Sequence, residues 1–351
     1  MSARHALVVG ASGLVGGNFM RHLAQVGGGR ITALSRRAPP PLAGVEHLAV
    51  DLLDRAQCER AAASLADTTH VFFCARAVGQ NYDIRLDPNR EIVENLLDAL
   101  LPVARGLEHV QIMHGMKWYG SNLGPYKQPA EESDPRLPGP NFYYEQLDAI
   151  TRRRAPGAAW TWSTLRPHFV CGVTVGSPSN PLSTLGTYAA ILKESGRPLD
   201  FPGPQGSFDA RMNITDVRLL ARAMLWAATD PRCADQAYNV VNGDTFRWRD
   251  VWPMLAAHFG MAPGTVKTVR LRETMAGQEP VWQRVVERHG LERTRMGEIA
   301  DWAFADVMFD GAWDQTASMA KARRDGFSET VDTPKMFLEI LGAYRSLRLL
   351  P

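Results

Sequence analysis

The sequence has only four cysteines in 351 residues, Cys58, Cys74, Cys171 and Cys233, and no two of them form a CxxC pair. That spacing excludes a disulfide framework and a cysteine-rich zinc site, and it fits a reducing compartment. Nine histidines occur, none in an HxxxH or HExxH arrangement, so no metal is expected. Charge of one sign is also missing. The 39 Lys+Arg and 37 Asp+Glu give a formal net charge of +2, which supplies no global field for gripping nucleic acid or an anionic membrane. No apolar run approaches the roughly 18 residues that a membrane helix needs. The chain opens Met-Ser-Ala-Arg-His and enters a strand pattern at once, leaving no room for a signal peptide. A cytoplasmic protein is expected, with neither nucleic acid nor membrane as partner. Internal repeats, low-complexity tracts and long linkers are absent as well.

What is present is ordinary in bulk and specific in detail. Hydrophobic residues make up 45% and charged residues 22%, a globular composition. The length exceeds one average domain, so two lobes are expected around a shared core. Through the first 170 residues, short β-branched runs (Ala6–Val9, Ile31–Leu34, His47–Val50, His70–Phe73, Val110–Met113 and Trp160–Leu165) alternate with helical patterns such as Phe19–Ala24 and Ile92–Leu101. This alternation predicts an α/β fold of the Rossmann type, a doubly wound parallel sheet with helices on both faces. After residue 170 the pattern changes to Gly/Ser/Pro-rich loops, a helix over Leu182–Leu192, another over Leu219–Ala228, a strand over Ala237–Val241 and a mostly helical tail from Trp248. The reading is a nucleotide-binding domain over 1–170, to which 212–245 returns, and a smaller, mostly helical substrate lobe from 171–211 and 246–351.

The run Val8-Val9-Gly10-Ala11-Ser12-Gly13-Leu14-Val15-Gly16 sets three glycines at a three-residue spacing just after the first strand. Gly10 permits the strand-to-helix turn, Gly13 lets backbone approach a pyrophosphate, and Gly16 allows close helix–sheet packing. The N–H groups of Ser12 to Gly16 would then face the diphosphate at a helix amino terminus. Binders of NAD usually place an acid at the end of the second strand to hold the ribose 2′-hydroxyl. This sequence has Ser35-Arg36-Arg37 there, two guanidiniums and a hydroxyl that suit a 2′-phosphate, so NADPH is the expected cofactor. Asp51-Leu52, past the third strand, stands where adenine is commonly flanked.

One expected pair is missing. Short-chain dehydrogenases usually carry Tyr and, four residues later, Lys on one helix. The candidate helix runs Asn141-Phe142-Tyr143-Tyr144-Glu145-Gln146-Leu147, and leucine occupies the lysine position. A lysine appears instead after the fifth strand, in His114-Gly115-Met116-Lys117-Trp118-Tyr119, at the carboxyl end where open α/β sheets bind ligands. Helical spacing places Tyr143, Leu147 and Ile150 on one inward face and rotates Tyr144 about 100° away, which favours Tyr143 as the reactive tyrosine.

These elements resemble the progesterone 5β-reductase/iridoid synthase family of extended short-chain dehydrogenases. The match extends through Thr69-His70-Val71-Phe72, Gly115–Tyr119, Pro135-Arg136-Leu137, Asn141–Tyr144, Arg166-Pro167, Tyr188-Ala189-Ala190, Asn239…Asn242-Gly243-Asp244 and Glu279-Pro280-Val281-Trp282. The resemblance implies that Lys117 and Tyr143 carry catalysis and that the reaction is NADPH-dependent 1,4-reduction of an enone or enal. It also implies cofactor contacts from Cys74, Ala75, Arg76, His114, Pro167, His168, Phe169 and Val170, and a homodimer by family habit. Trp118, Tyr119, Tyr144 and Phe304, the last an aromatic lid, are the implied substrate contacts. Trp118 stands where the family often has His, and Ala75-Arg76 where a Thr-Trp pair is common, so the pocket is altered. The competing readings are a carbonyl reductase or sugar-nucleotide epimerase on the same scaffold, and an NADP-sensing protein without chemistry. Absence of Tyr-xxx-Lys counts against the epimerase, and presence of both candidate residues against the sensor.

Overall fold

The computed structural model describes residues 4–27, 29–79, 86–292 and 294–351. Its strands are β1 Arg4–Val9, β2 Gly29–Leu34, β3 Val45–Leu48, β4 His70–Phe73, β5 His109–Met113, β6 Thr161–Pro167, β7 Val170–Cys171, β8 Leu199–Phe201, β9 Thr215–Asp216, β10 Gln236–Val240 and β11 Pro263–Val266. Seven of them form one sheet in the order β10-β6-β5-β4-β1-β2-β3, every pair parallel. The order reverses between β1 and β4, so a crevice opens at their carboxyl ends. The third strand lies two residues earlier than its sequence pattern suggests. β2 ends at Leu34, opposite Leu48, and leaves Ala49 and Val50 without a ladder partner.

Both faces of the sheet are covered, which is why its central strands read as continuous apolar runs. Val8, Ile31, Ala33, Phe72 and Leu165 pack on one side, against the helices Leu14–Val26 (α1) and Val217–Thr229. Leu7, Val9, Val71, Phe73, Val110 and Ile112 face the other side. Helices Arg55–Ala62 and Leu86–Leu100 cover it together with Ala149 and Ile150 of helix Phe142–Arg153. A third cluster is built around helix Pro181–Glu194, buried on all sides from Pro181 to Leu192, and gathers Trp248, Trp252, Trp282, Phe309, Phe337 and Tyr344. A helix apolar all round belongs in a core. Residues 317–327 do not stay with that third cluster, because Ala317, Met319, Ala322 and Phe327 return to the sheet side.

That return seals an open sheet edge, a hazard that folded proteins must blunt. Along β10, the Asn239 N–H donates to Glu132 Oε1 (2.6 Å), the Ala237 carbonyl accepts from Lys321 Nζ (3.0 Å) and the Val241 N–H meets Met319 Sδ (3.3 Å). Met319 and Lys321, at the start of helix Ala320–Arg324, thus cover the edge. Among the described residues no helix is long and apolar enough to cross a membrane.

Candidate active site

The glycine turn has the geometry a diphosphate needs. Gly10 sits at φ +80°, and a Cβ there would lie 2.7 Å from the Ala75 nitrogen, so the end of β4 with Cys74 and Ala75 closes directly over the turn. A Cβ on Gly16 would lie 2.5 Å from the Gly10 carbonyl oxygen. Gly13 takes the N-cap position of α1 and has no side chain to cap it, which leaves the amino end of the helix to Ser12, Leu14, Val15 and an incoming acceptor. The residues present fit a dinucleotide. At the far end of β2, Arg36 and Arg37 are exposed and Ser35 is buried. The Ser35 hydroxyl donates to the Arg37 carbonyl at 2.7 Å within the turn. Asp51 accepts the Leu53 N–H at 3.1 Å, and Leu52 is buried, so this pair shapes the loop that follows β3.

The fifth strand ends in His114 and Gly115 and turns into a 3-10 segment, Met116–Tyr119. Gly115 is where the two candidate catalytic elements meet. A Cβ there would be 3.0 Å from the Tyr143 hydroxyl and 3.3 Å from the Pro167 carbonyl oxygen. Asn141 ties the elements together. Its Oδ1 accepts the Tyr143 N–H (3.0 Å) as the cap of helix Phe142–Arg153, and its Nδ2 donates to the Lys117 carbonyl (2.8 Å). Burial, with the Arg76 guanidinium nearby, pushes the Lys117 ammonium down to about 8. The Tyr143 ring also rests on His114, centroids 4.8 Å apart. His114 is held by Thr164 Oγ1 at 2.8 Å, and burial, followed by Arg166 and Arg136, drives its value well below that of a free imidazole. The Tyr143 hydroxyl thus reaches the Gly115 backbone two residues before Lys117, and Asn141 ties the Lys117 backbone to the start of the Tyr143 helix.

The four residues implied as substrate contacts behave differently from one another. Tyr119 is committed inward, its hydroxyl donating to Asn239 Oδ1 (2.8 Å) and accepting from Arg166 Nη1 (2.7 Å). Burial raises it to about 12, so it stays neutral. Tyr144 is buried like Tyr143 rather than rotated into solvent, because the segment after Lys117 folds over that face. Its hydroxyl donates to the Trp118 carbonyl (2.6 Å) and accepts the Leu137 N–H (3.0 Å). Trp118 lies under the Arg166 guanidinium at 3.8 Å, with His114 stacked at 5.5 Å and Tyr144 edge-on at 4.7 Å. These three form a braced wall with no hydroxyl left to offer. Phe304 is buried and meets Phe169 edge-to-face at 5.9 Å.

The segment after β6 carries backbone strain. Phe169 has φ +34°, a left-handed conformation that a bulky residue adopts only under constraint. Its neighbours supply the constraint. The His168 N–H donates to Thr215 Oγ1 (3.0 Å), and Val170–Cys171 pair with Thr215–Asp216. His168 Nδ1 faces the Asn213 carbonyl at 2.8 Å and must donate to it, while burial lowers the ring to about 4 and keeps it neutral. The Phe169 ring packs against Phe304 and the third cluster. Sequence reading missed Asn141 and Arg166 as parts of this site. Asn before an aromatic helix start is a cap signal that could have found the first. Nothing local marks the second, whose role depends on stacking with Trp118.

Relatives agree with this arrangement in length and topology. The protein-family model of a PRISE-like Rossmann-fold domain matches residues 44–351. An (S)-8-oxocitronellyl enol synthase of Nepeta racemosa is 31% identical, covering 99% of this chain and 91% of its own length. A 3-oxo-Delta(4,5)-steroid 5-beta-reductase of Arabidopsis thaliana is 31% identical, covering 99% and 93%. Among solved structures, the Bordetella bronchiseptica enzyme WbmG in complex with NAD superposes with a TM-score of 0.69 at 18% identity, over 99% of this chain and 96% of that one. A UDP-glucose 4-epimerase of Thermus thermophilus, also with NAD, gives 0.67 at 18%, over 97% and 99%. At such identities the solved structures speak for the fold alone, whereas the family match and the two curated relatives extend over nearly the whole sequence. The chain belongs to the family of PRISE-like Rossmann-fold proteins.

Proposed function

We propose that the chain is an NADPH-dependent reductase of activated carbon–carbon double bonds, acting on enones or enals. The observation that carries this reading is the Tyr143 hydroxyl against Gly115, two residues before Lys117, with Asn141 tying the two segments and Leu147 in the position that Tyr-xxx-Lys enzymes give to lysine. The names of the two curated relatives, a steroid 5-beta-reductase and an enol synthase, support the same class. NADPH, when bound, supplies the hydride, which goes to the β-carbon of the unsaturated carbonyl. Electron density then moves onto the carbonyl oxygen, where Tyr143 donates a hydrogen bond as charge develops. Lys117 adds positive charge beside that hydroxyl and a donor for the cofactor ribose. The α-carbon takes a proton from solvent, which completes addition of two hydrogens across the double bond. Arg36 and Arg37 receive the 2′-phosphate.

The test is NADPH oxidation with a panel of small enones and enals, comparing the parent with Tyr143→Phe and Lys117→Ala. Loss of about 10²–10⁴ in kcat/KM with unchanged folding is expected of each variant. An allylic alcohol as product, with the double bond intact, would refute double-bond reduction in favour of a carbonyl reductase. Unchanged turnover in both variants would refute the site.

A further inference from the structure

The adenosine end of the crevice holds a residue that no sequence motif marks. His47 lies on the edge strand β3, opposite Ala33 in the register. Its Nε2 is 3.0 Å from the Ser35 carbonyl oxygen and 3.3 Å from Ser35 Oγ. A carbonyl oxygen has no hydrogen to give, so Nε2 carries the proton and donates. The same logic fixes the Ser35 hydroxyl, whose hydrogen goes to the Arg37 carbonyl at 2.7 Å. Ser35 Oγ then accepts a second share of the His47 N–H. With the Ser35 N–H donating to the Leu48 carbonyl at 3.3 Å, these contacts close a clamp that runs from β3 across the Ser35–Arg37 turn. Ser35 is buried inside the clamp, and Arg36 and Arg37 project from it into solvent.

We infer that His47 is a positioning residue for cofactor selectivity: its ring holds the Ser35–Arg37 turn in the shape that presents Arg36 and Arg37 to the 2′-phosphate of NADPH. This inference rests on the NADPH reading above. The physical reason is preorganisation. Two long arginine side chains lose rotamer freedom on binding a phosphate, and a turn that also had to be ordered would lose more. A clamp built beforehand removes the second loss. NAD presents only a 2′-hydroxyl at this position, where the turn offers no acid to hold it, so its affinity depends less on the shape of the turn. The clamp is therefore read in the ratio of the two affinities rather than in either one alone.

The experiment titrates the full-length protein with NADP+ and with NAD+ in four forms: parent, Arg36→Ala with Arg37→Ala, His47→Phe and His47→Gln. The parent is expected to prefer NADP+ and the double arginine variant to lose that preference. His47→Phe keeps the ring volume and removes the donor. It should weaken NADP+ about three- to tenfold, the factor of one net hydrogen bond, and leave NAD+ within about twofold. Glutamine can donate an amide N–H to the same carbonyl and should restore most of the NADP+ affinity at an unchanged thermal midpoint. An NADP+ affinity unaltered by His47→Phe, while the arginine variant loses selectivity, overturns the role of His47 and leaves the NADPH reading standing. Equal weakening of both nucleotides, or failure of glutamine to rescue, makes His47 a general stabiliser and overturns the inference as well. A parent that binds both nucleotides equally overturns the NADPH reading itself, and this inference with it.

Discussion

Lowering the pH from about 7 to about 5 should strip this protein of a large part of its stability, and the buried His109 and His168 supply the magnitude. His109 sits in β5 between Thr161 Oγ1 and Ser163 Oγ, each 2.8 Å away, and burial, followed by the charge on His70, pushes it down to about 3. His168 is held at about 4 and His114 well below its ordinary value, both chiefly by burial. A histidine with a depressed folded value binds its proton in the unfolded chain first. The stability it contributes is complete above about 6.5 and drains away as pH falls towards the folded value. At about pH 5 the unfolded chain is favoured by roughly 1.4 kcal/mol for each unit below 6.5, about 2 kcal/mol per histidine. His109 and His168 together give about 4 kcal/mol, a large share of the 5–15 kcal/mol typical of a domain, and His114 acts in the same direction. Among the carboxylates, burial raises Glu132 and Asp306, whose protonation in the folded chain offsets part of the histidine loss. Asp98 and Asp200, both lowered by their basic partners, lose stabilising charge only at lower pH. Urea unfolding at the two pH values, for the parent and for His109→Gln, measures the effect directly. The variant should lose about 2 kcal/mol of the parent's pH dependence, whatever its stability near neutrality. An identical pH slope in parent and variant would refute the claim that His109 is buried neutral.

Three further outcomes follow from individual contacts. Gly16→Ala puts a methyl group 2.5 Å from the Gly10 carbonyl oxygen and 3.2 Å from the Ala11 Cα, both backbone, so the cofactor turn must move. Calorimetric titration should show dinucleotide affinity down about tenfold or more, and unfolding a cost of about 1–3 kcal/mol. Asn141→Ala removes a helix cap and the donor to the Lys117 carbonyl together. A loss of about 1 kcal/mol in stability and about tenfold in kcat/KM is expected, and a stability loss with full activity would deny Asn141 any positioning role. Lys321→Ala uncovers the β10 edge at Ala237. It should cost about 1–2 kcal/mol and promote self-association at high protein concentration, as measured by light scattering.

By itself the sequence determined the class of fold and the place of the cofactor turn. Both depend on local constraints that composition records faithfully. Strands buried on both faces must be continuously apolar, and a turn at φ +80° packed against backbone must be glycine, so Leu7–Val9, Val71–Phe73 and Gly10 were legible without coordinates. Spacing also placed Lys117 at the end of a strand and Tyr143 on a helix. Only the tertiary structure decided that the Tyr143 hydroxyl lies against Gly115, that Asn141 bridges its helix to the Lys117 backbone, and that Tyr119 and Tyr144 turn their hydroxyls inward. It also turned the Ser35 hydroxyl to the Arg37 carbonyl and placed His47 behind it. The dividing line is the distance along the chain over which a hydrogen bond or ring contact acts. A period of two or 3.6 residues carries information about burial, but not about which atom, twelve or a hundred and twenty residues away, will satisfy a buried polar group.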